Sequence, residues 1–227
     1  MFMVLFEVHP KAQQWETYLS YARLLKPELE RIDGFVENVR YRSLTREGWI
    51  LSLSGWRDEK SLVRWRTHVG HHDVQSKGRT SVFADYHLQV GELTRDTRPR
   101  PGVSLREQRL DETVAGEARF VTLIDAQRSP ELARSAPADT GQWLGLTPQL
   151  SGLISWDLFD AVLTPGNIVL RLSWRDQPEA DMFERSVSLP AGARLRGVRV
   201  IRDYGMFDRR EAPQYFPDIP DGTTIHA

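Results

Sequence analysis

The sequence predicts an α+β protein, two tandem βαββαβ modules packed sheet to sheet as an intramolecular pseudo-dimeric α+β barrel. Three observations carry that expectation. The 227-residue chain lies on itself without a gap at an offset of 118, residues 2–90 on 120–208. Within each copy the apolar spacing runs in the order strand, helix, strand, strand, helix, strand. Between the copies stands a charged stretch with two prolines and a glycine and no apolar period.

Twelve of the 89 aligned pairs are identical, among them Gly34/Gly152, Gly48/Gly166, Trp56/Trp174, Arg57/Arg175, Asp58/Asp176, Val82/Val200, Asp85/Asp203 and Tyr86/Tyr204. Their placement matters more than their number. Trp-Arg-Asp recurs, Asp-Tyr recurs, two turn glycines recur, and other pairs exchange like for like, as Glu7/Asp125 and Trp65/Phe183 do.

In the first copy, residues 4–8 are short and apolar, as a buried strand is. Trp15, Leu19, Ala22, Leu25 and Leu29 follow at helical spacing, with Pro27 set to kink that helix or open its last turn. Asp33-Gly34 stops it. Residues 35–43 and 49–56 read as a hairpin about the turn at Gly48. Asp58 stands as N-cap to a second helix that carries Leu62, Val63, Trp65 and Val69 and runs towards Gly78. A last strand, 81–90, places Val82, Ala84, Tyr86, Leu88 and Val90 on one face. This order is the split βαβ, or ferredoxin-like, arrangement. One sheet face of each module is left bare by its helices, and two copies in one chain can bury those faces together. The expected division is residues 1–91 as the active module, 92–117 as linker, 118–208 as a degenerate second module and 209–227 as an irregular tail pinned by Tyr215 and Phe216.

Composition narrows the function. Apolar residues make up 40% and charged residues 27%, with 30 Lys+Arg against 31 Asp+Glu, which is ordinary for a soluble globular chain. The absence of cysteine excludes disulfides, thiolate nucleophiles, Cys-ligated zinc and iron–sulfur clusters. A net charge of −1 speaks against nucleic acid as a partner. No stretch approaches the roughly 20 apolar residues of a membrane span. Residues 1–6 lack the basic flank of a secretory signal, so a cytoplasmic protein without membrane contact is the expectation.

The two copies differ on one strand face. Ile50, Ser52, Ser54 and Trp56 match Ile168, Leu170, Leu172 and Trp174, so the second copy fills with leucine what the first leaves small and hydroxylated. A cavity is expected over Ser52 and Ser54. In the second copy the region 133–148 is broken by Pro137, Gly141 and Gly145, which fits a structural role. His68, His71 and His72 lie three and four apart, and on one helix face they are candidates for proton transfer or metal ligation. No carboxylate completes a metal triad, so no metal is expected. Trp56 and Trp65 each admit a core reading and a ligand-stacking one.

Three runs, Ile32-Asp-Gly-Phe35, Gly55-Trp-Arg-Asp58 and Trp65-Arg-Thr-His68-Val-Gly-His71-His-Asp-Val-Gln75-Ser-Lys-Gly-Arg79, resemble the antibiotic biosynthesis monooxygenase family of the dimeric α+β barrel superfamily. Activities in that family include cofactor-free oxygenation of polyketide quinols and oxidative haem breakdown. The resemblance implies that Trp56 lines the cavity, as in quinol oxidisers, and that Trp65 matches a porphyrin-contacting tryptophan. The chain departs from both patterns: Gln75 stands at the haem ligand's place, no Asn occurs in strand one, and Ser52 and Leu62 replace the quinol oxidisers' Asn and Tyr. The resemblance thus implies a cofactor-independent monooxygenase acting on a small aromatic or quinol-like molecule and dioxygen. His71, Ser52 and Arg79 would be its catalytic residues, and Trp56, Trp65, Ser54, His68, His72 and Gln75 its substrate-binding ones. The alternative is a non-catalytic small-molecule or haem-binding barrel. Either form is a monomeric pseudo-dimer or a homodimer.

Overall fold

Alternating apolar residues fold the first half into β1 (Phe2–Pro10), β2 (Phe35–Ser43), β3 (Ile50–Trp56) and β4 (Phe83–Asp96), and the second into β5 (Phe120–Gln127), β6 (Leu153–Ala161), β7 (Asn167–Trp174) and β8 (Arg194–Gly205). Helices α1 (Trp15–Arg31), α2 (Glu59–Arg66) and α3 (Val69–Lys77) belong to the first half, α4 (Pro137–Trp143) and α5 (Gln177–Ser186) to the second. The structure is a computed structural model and describes residues 1–101, 105, 109, 111–217 and 219. Gly102 of the expected linker and residues 221–224 at the end of the tail lie outside the described residues.

The strands close into one eight-stranded antiparallel barrel in the order β1-β3-β2-β6-β7-β5-β8-β4. Its interior is a shared apolar layer that includes Leu5, Leu51 and Leu53 from one half and Val121, Leu123 and Val169 from the other. Helices cover the outside, with Leu29, Leu62 and Trp65 packed on the first half and Phe183 and Ala180 on the second. Two seams join the halves. One pairs β2 with β6 about Arg42↔Asp160. The other pairs β4 with β8, where Arg199 Nη2 donates to buried Glu92 at 3.0 Å across the Glu92↔Arg199 register. Among the described residues no helix is long and apolar enough to cross a membrane.

Local rules survive in both halves. Gly34 and Gly152 both have positive φ (+86° and +71°), and Gly48 and Gly166 turn their hairpins at +76° and +94°, a backbone open to glycine at little cost. Asp58 and Asp176 cap α2 and α5 by accepting from Ser61 N and Glu179 N. Pro27 lies inside α1, which continues to Arg31.

Several expectations are corrected. The offset of 118 holds for Phe2/Phe120, which face Trp56 and Trp174, but the last strand obeys another: Phe2 faces Glu92 whereas Phe120 faces Arg199, an offset of 107. The second half is therefore 118 − 107 = 11 residues shorter between β7 and β8, because α5 alone replaces α2, α3 and the π turn at Gly78–Val82. Val82/Val200, Asp85/Asp203 and Tyr86/Tyr204 match in sequence without occupying equivalent places.

The expected single helix after Asp58 is two. Thr67 ends α2, its Oγ1 donating back to Val63 O at 2.9 Å, and His68 is the extended N-cap of α3 at φ −62°, ψ 128°. Val69 consequently points to solvent at 77% exposure rather than into the core. Finally, of the two aromatic residues expected to pin the tail only Phe216 is buried, with Glu211 and Gln214 adding hydrogen bonds to Thr113 and Gln75; Tyr215 is 88% exposed, as Ala84 also is exposed, and β4 extends through residues 92–96 into the expected linker.

One buried acid sets a pH dependence. Glu184 on α5 is 4% exposed, accepts from Thr122 Oγ1 at 2.7 Å and lies 3.7 Å from Arg95. Burial pushes its carboxyl up to about 7, against the pull of Thr122 and Arg95. Its folded value exceeds its unfolded one, so its contribution is full below the unfolded value and is lost as pH rises through about 7. Glu184→Gln keeps an acceptor for Thr122 without a charge. Thermal melts are expected to show the variant stabilised by about 1–2 kcal/mol at pH 8 and without that gain at pH 5; an equal difference at both pH values contradicts this.

Candidate active site

The cavity lies between the outer face of the sheet and α1, α2 and α3, with a volume of about 200 Å³. Its floor is two registered rows of side chains. One runs Arg40–Ser52–Phe6–Leu88–Tyr204 and the next Asn38–Ser54–Val4–Val90–Arg202, across β2, β3, β1, β4 and β8. The middle of the floor is apolar and both edges are polar. The β8 edge comes from the second half of the chain, so the first module does not build the cavity alone.

Ser52 and Ser54 line the floor, as expected from their small size. Asn38 Nδ2 donates to Ser52 Oγ at 2.9 Å and Trp56 Nε1 to Ser54 Oγ at 3.0 Å. Each hydroxyl is thus already an acceptor, and its own proton is directed elsewhere. Trp56 is 1% exposed and packs edge to face on Phe35, with ring centroids 5.6 Å apart. Its counterpart Trp174 donates to Thr122 Oγ1 at 2.9 Å.

The helical wall separates the three histidines. His71 lines the cavity; its ring stacks on Trp65 at 4.2 Å and 15°, and Nδ1 lies 3.0 Å from Trp65 O. A carbonyl only accepts, so Nδ1 carries the proton and Nε2 is the bare nitrogen. Burial lowers the His71 pKa to about 4, the contact with Trp65 O opposing, which leaves the ring neutral near pH 7. His68 stacks on Trp65 at 5.7 Å and approaches Glu28 at 3.9 Å, and His72 stacks on Phe216 at 5.3 Å; neither lines the cavity. His71 and His72 are consecutive on α3 and so face different ways, and the break at Thr67-His68 leaves His68 outside the helix as its N-cap. No group of three His, Cys, Asp or Glu side chains suited to a metal occurs among the described residues.

The tail closes the remaining side. Gln214 Nε2 donates to Gln75 Oε1 at 3.0 Å, and Phe216 joins the lining. Arg79, 4% exposed, donates to Tyr86 Oη at 2.7 Å and Met206 O at 3.3 Å; Arg209 Nη1 donates to the same Oη at 2.6 Å. Arg79 is thus engaged with the protein's own phenol.

Sequence reasoning missed Asn38, Arg40, Tyr18 and the tail. A signal for two of them lay in the repeat, where Asn38 and Arg40 match Trp156 and Leu158. This is the same polar-for-apolar exchange as at Ser52 and Ser54.

A family model described as antibiotic biosynthesis monooxygenase matches residues 1–77. A protein of Pyricularia oryzae named jasmonate monooxygenase ABM is 49% identical over 223 residues, covering 96% of this chain and 99% of that one. Among solved structures, a candidate monooxygenase of Fusobacterium nucleatum is 9% identical with a TM-score of 0.38, covering 89% of this chain and 93% of that one. An anthrone oxidase-like protein is 10% identical with a TM-score of 0.35, covering 94% and 96%. Near-complete coverage at 49% identity, together with the match over residues 1–77, leaves one assignment: this chain belongs to the antibiotic biosynthesis monooxygenase family.

Proposed function

We propose that this protein is a cofactor-independent monooxygenase that oxidises a small, largely apolar organic molecule in the cavity under α1, α2 and α3. The observation that carries this reading is a neutral imidazole in an apolar chamber. His71 keeps Nε2 free beside a floor whose hydroxyls have protons to give. The relative named for jasmonate oxygenation supports it, because its similarity runs the length of both chains.

The chemistry balances without a resident cofactor. A substrate with an acidic C–H or O–H, quinols included, gives its proton to His71 Nε2. The resulting anion passes an electron to dioxygen, and the radical pair joins in a carbon–oxygen bond as a peroxide, its charge met by hydroxyl donors. Where that carbon holds a hydrogen, loss of water gives a carbonyl, with one oxygen atom retained and one released. An alcohol product instead takes two electrons and two protons from an external thiol or reduced nicotinamide. The haem alternative draws no support from a cavity of about 200 Å³, small even for a compact organic molecule.

We also infer that residues 1–91 and 118–208 are fused copies of one module, with the second serving structure. Leu170 and Leu172, wholly buried, occupy there what the cavity occupies in the first.

The test is oxygen uptake and mass spectrometry with jasmonate and with quinols, with and without reductant. A product heavier by one oxygen, or by one oxygen less two hydrogens, supports the reading; no uptake with any of them refutes it. The double variant Ser52→Leu, Ser54→Leu, which copies the second half, is expected to remain folded and lose at least a hundredfold in kcat/KM. Activity within threefold of the parent would place the reaction outside this cavity.

A further inference from the structure

The polar edge of the cavity on β2 and β3 offers donors with no anion to receive them. Arg40 lines the cavity, and among the described residues no carboxylate pairs with its guanidinium; its Nε is buried without a hydrogen-bond partner. Above it sits Tyr18 of α1, 6% exposed, its buried hydroxyl facing the Arg40 guanidinium with no acceptor for its own proton. Burial raises the Tyr18 pKa against the opposing charge of Arg40, so the phenol stays protonated and a donor. Beside Arg40 in the same row is Ser52, whose acceptor role is filled by Asn38 Nδ2 at 2.9 Å.

The other charges of the cavity are differently placed: Arg66, also in the lining, belongs to the last turn of α2 in the helical wall and not to the β2–β3 floor. Glu59, the acid in its lining, is held by Arg109 at 2.6 Å. Arg79 and Arg209 spend donors on Tyr86 Oη and on backbone carbonyls. Arg202 stands at the far end of the neighbouring row, four strand spacings from β2, roughly 19 Å. Arg40 and Arg202 therefore enter the cavity from opposite edges of its floor.

We propose that Arg40, with the hydroxyls of Ser52 and Tyr18, is a carboxylate-binding subsite, so that the natural ligand is an organic acid with an apolar body lying across Phe6 and Leu88. The guanidinium fork suits a carboxylate in two parallel hydrogen bonds, and a chamber with apolar walls strengthens the pair. Asn38 positions Ser52 and does not itself bind. The second half carries Leu158 and Leu170 at the places of Arg40 and Ser52, so it has no such subsite. This inference rests on the cavity of the oxygenase reading but uses no oxygen chemistry.

The probes are octanoate and octanamide, equal in length and different in charge, titrated calorimetrically under nitrogen at pH 7.5. Working without dioxygen separates a ligand carboxylate from any oxygen-derived anion the same donors would meet. The unaltered protein is expected to bind octanoate at least tenfold more tightly than octanamide. Arg40→Met is expected to abolish that preference while leaving octanamide affinity within about twofold, which also shows that the cavity is intact. Should Arg40→Met not fold, Arg40→Lys, which keeps the charge without the fork, is expected to retain only part of the preference. Equal affinities in the unaltered protein, no binding of either probe, or an undiminished preference in the Arg40 variant overturns the proposal. Octanoate held through Arg40 without oxygen uptake on any substrate overturns the oxygenase reading alone. Oxygen uptake with no acid preference overturns this one alone.

Discussion

Replacing Glu7 with alanine is expected to destabilise the barrel by about 3–5 kcal/mol, because it leaves a buried cation without its anion. Glu7 lies on β1 at 2% exposure, and its carboxylate joins the two halves. Arg171 Nη1 of β7 sits 2.5 Å from Oε1, and Arg46 meets Oε2 while also reaching Asp157 at 2.6 Å. Burial works to raise the Glu7 carboxyl, but Arg171 and Arg46 outweigh it and hold its pKa below the usual range. In the variant, Arg46 keeps Asp157 and is partly solvated. Arg171, 6% exposed and with Nε already lacking a partner, has no other carboxylate among the described residues.

Two comparisons separate this from simple loss of packing. A Glu7→Met, Arg171→Met pair, which removes both charges, is expected to cost far less than Glu7→Ala, since neither ion is then left unpaired. The sign of the pH dependence is fixed by the same contacts. The folded value lies below the unfolded one, so the stabilisation is full above the unfolded value and is lost as pH falls through the folded value. Urea unfolding at pH 7 and in acid measures both; a cost under 1 kcal/mol at pH 7 would show that water already serves Arg171.

Much of this architecture was legible in the chain, for reasons that also mark where legibility ends. The hairpin at Gly48 and the cap at Asp58 are local, and local rules placed them; the cap at Asp176 follows the same rule at the repeated position. The ungapped repeat failed only at the last strand, where a connection 11 residues shorter in the second half moved the equivalence and chance matches such as Tyr86/Tyr204 hid it. The helix break at Thr67-His68 came from a β-branched residue bonding back to its own helix just before Val69-Gly70, a weak signal against strong apolar spacing. In the site, the serine-for-leucine exchange was read, and the parallel exchange at Asn38 and Arg40 was open to the same comparison. The tail's place beside Gln75 and His72 was not, because proline-rich sequence specifies no partner and the contacts of Gln214 and Phe216 are wholly tertiary.

Changing His71 to glutamine is expected to lower kcat by about 10²–10⁴-fold while KM stays within a few-fold, the signature of a lost general base rather than a lost binding contact. Glutamine retains an amide N–H for Trp65 O but carries no base. The acid limb of the kcat profile in the parent is expected near pH 4, where the imidazole takes up its proton, instead of near 6.5 as for an exposed histidine. The same group writes a second, independent record in stability. Its folded value lies below its unfolded one, so unfolded chains take up a proton between about 6.5 and about 4 that folded chains refuse. Stability therefore falls over that interval, by up to about 3 kcal/mol, and His71→Gln is expected to flatten that part of the profile. A variant with a flattened stability profile but unchanged kcat would place His71 in the wall of the cavity and the proton transfer elsewhere. A variant inactive at every pH with the parent's stability profile would show that the imidazole is solvated, and that its neutrality is not set by the Trp65 contact.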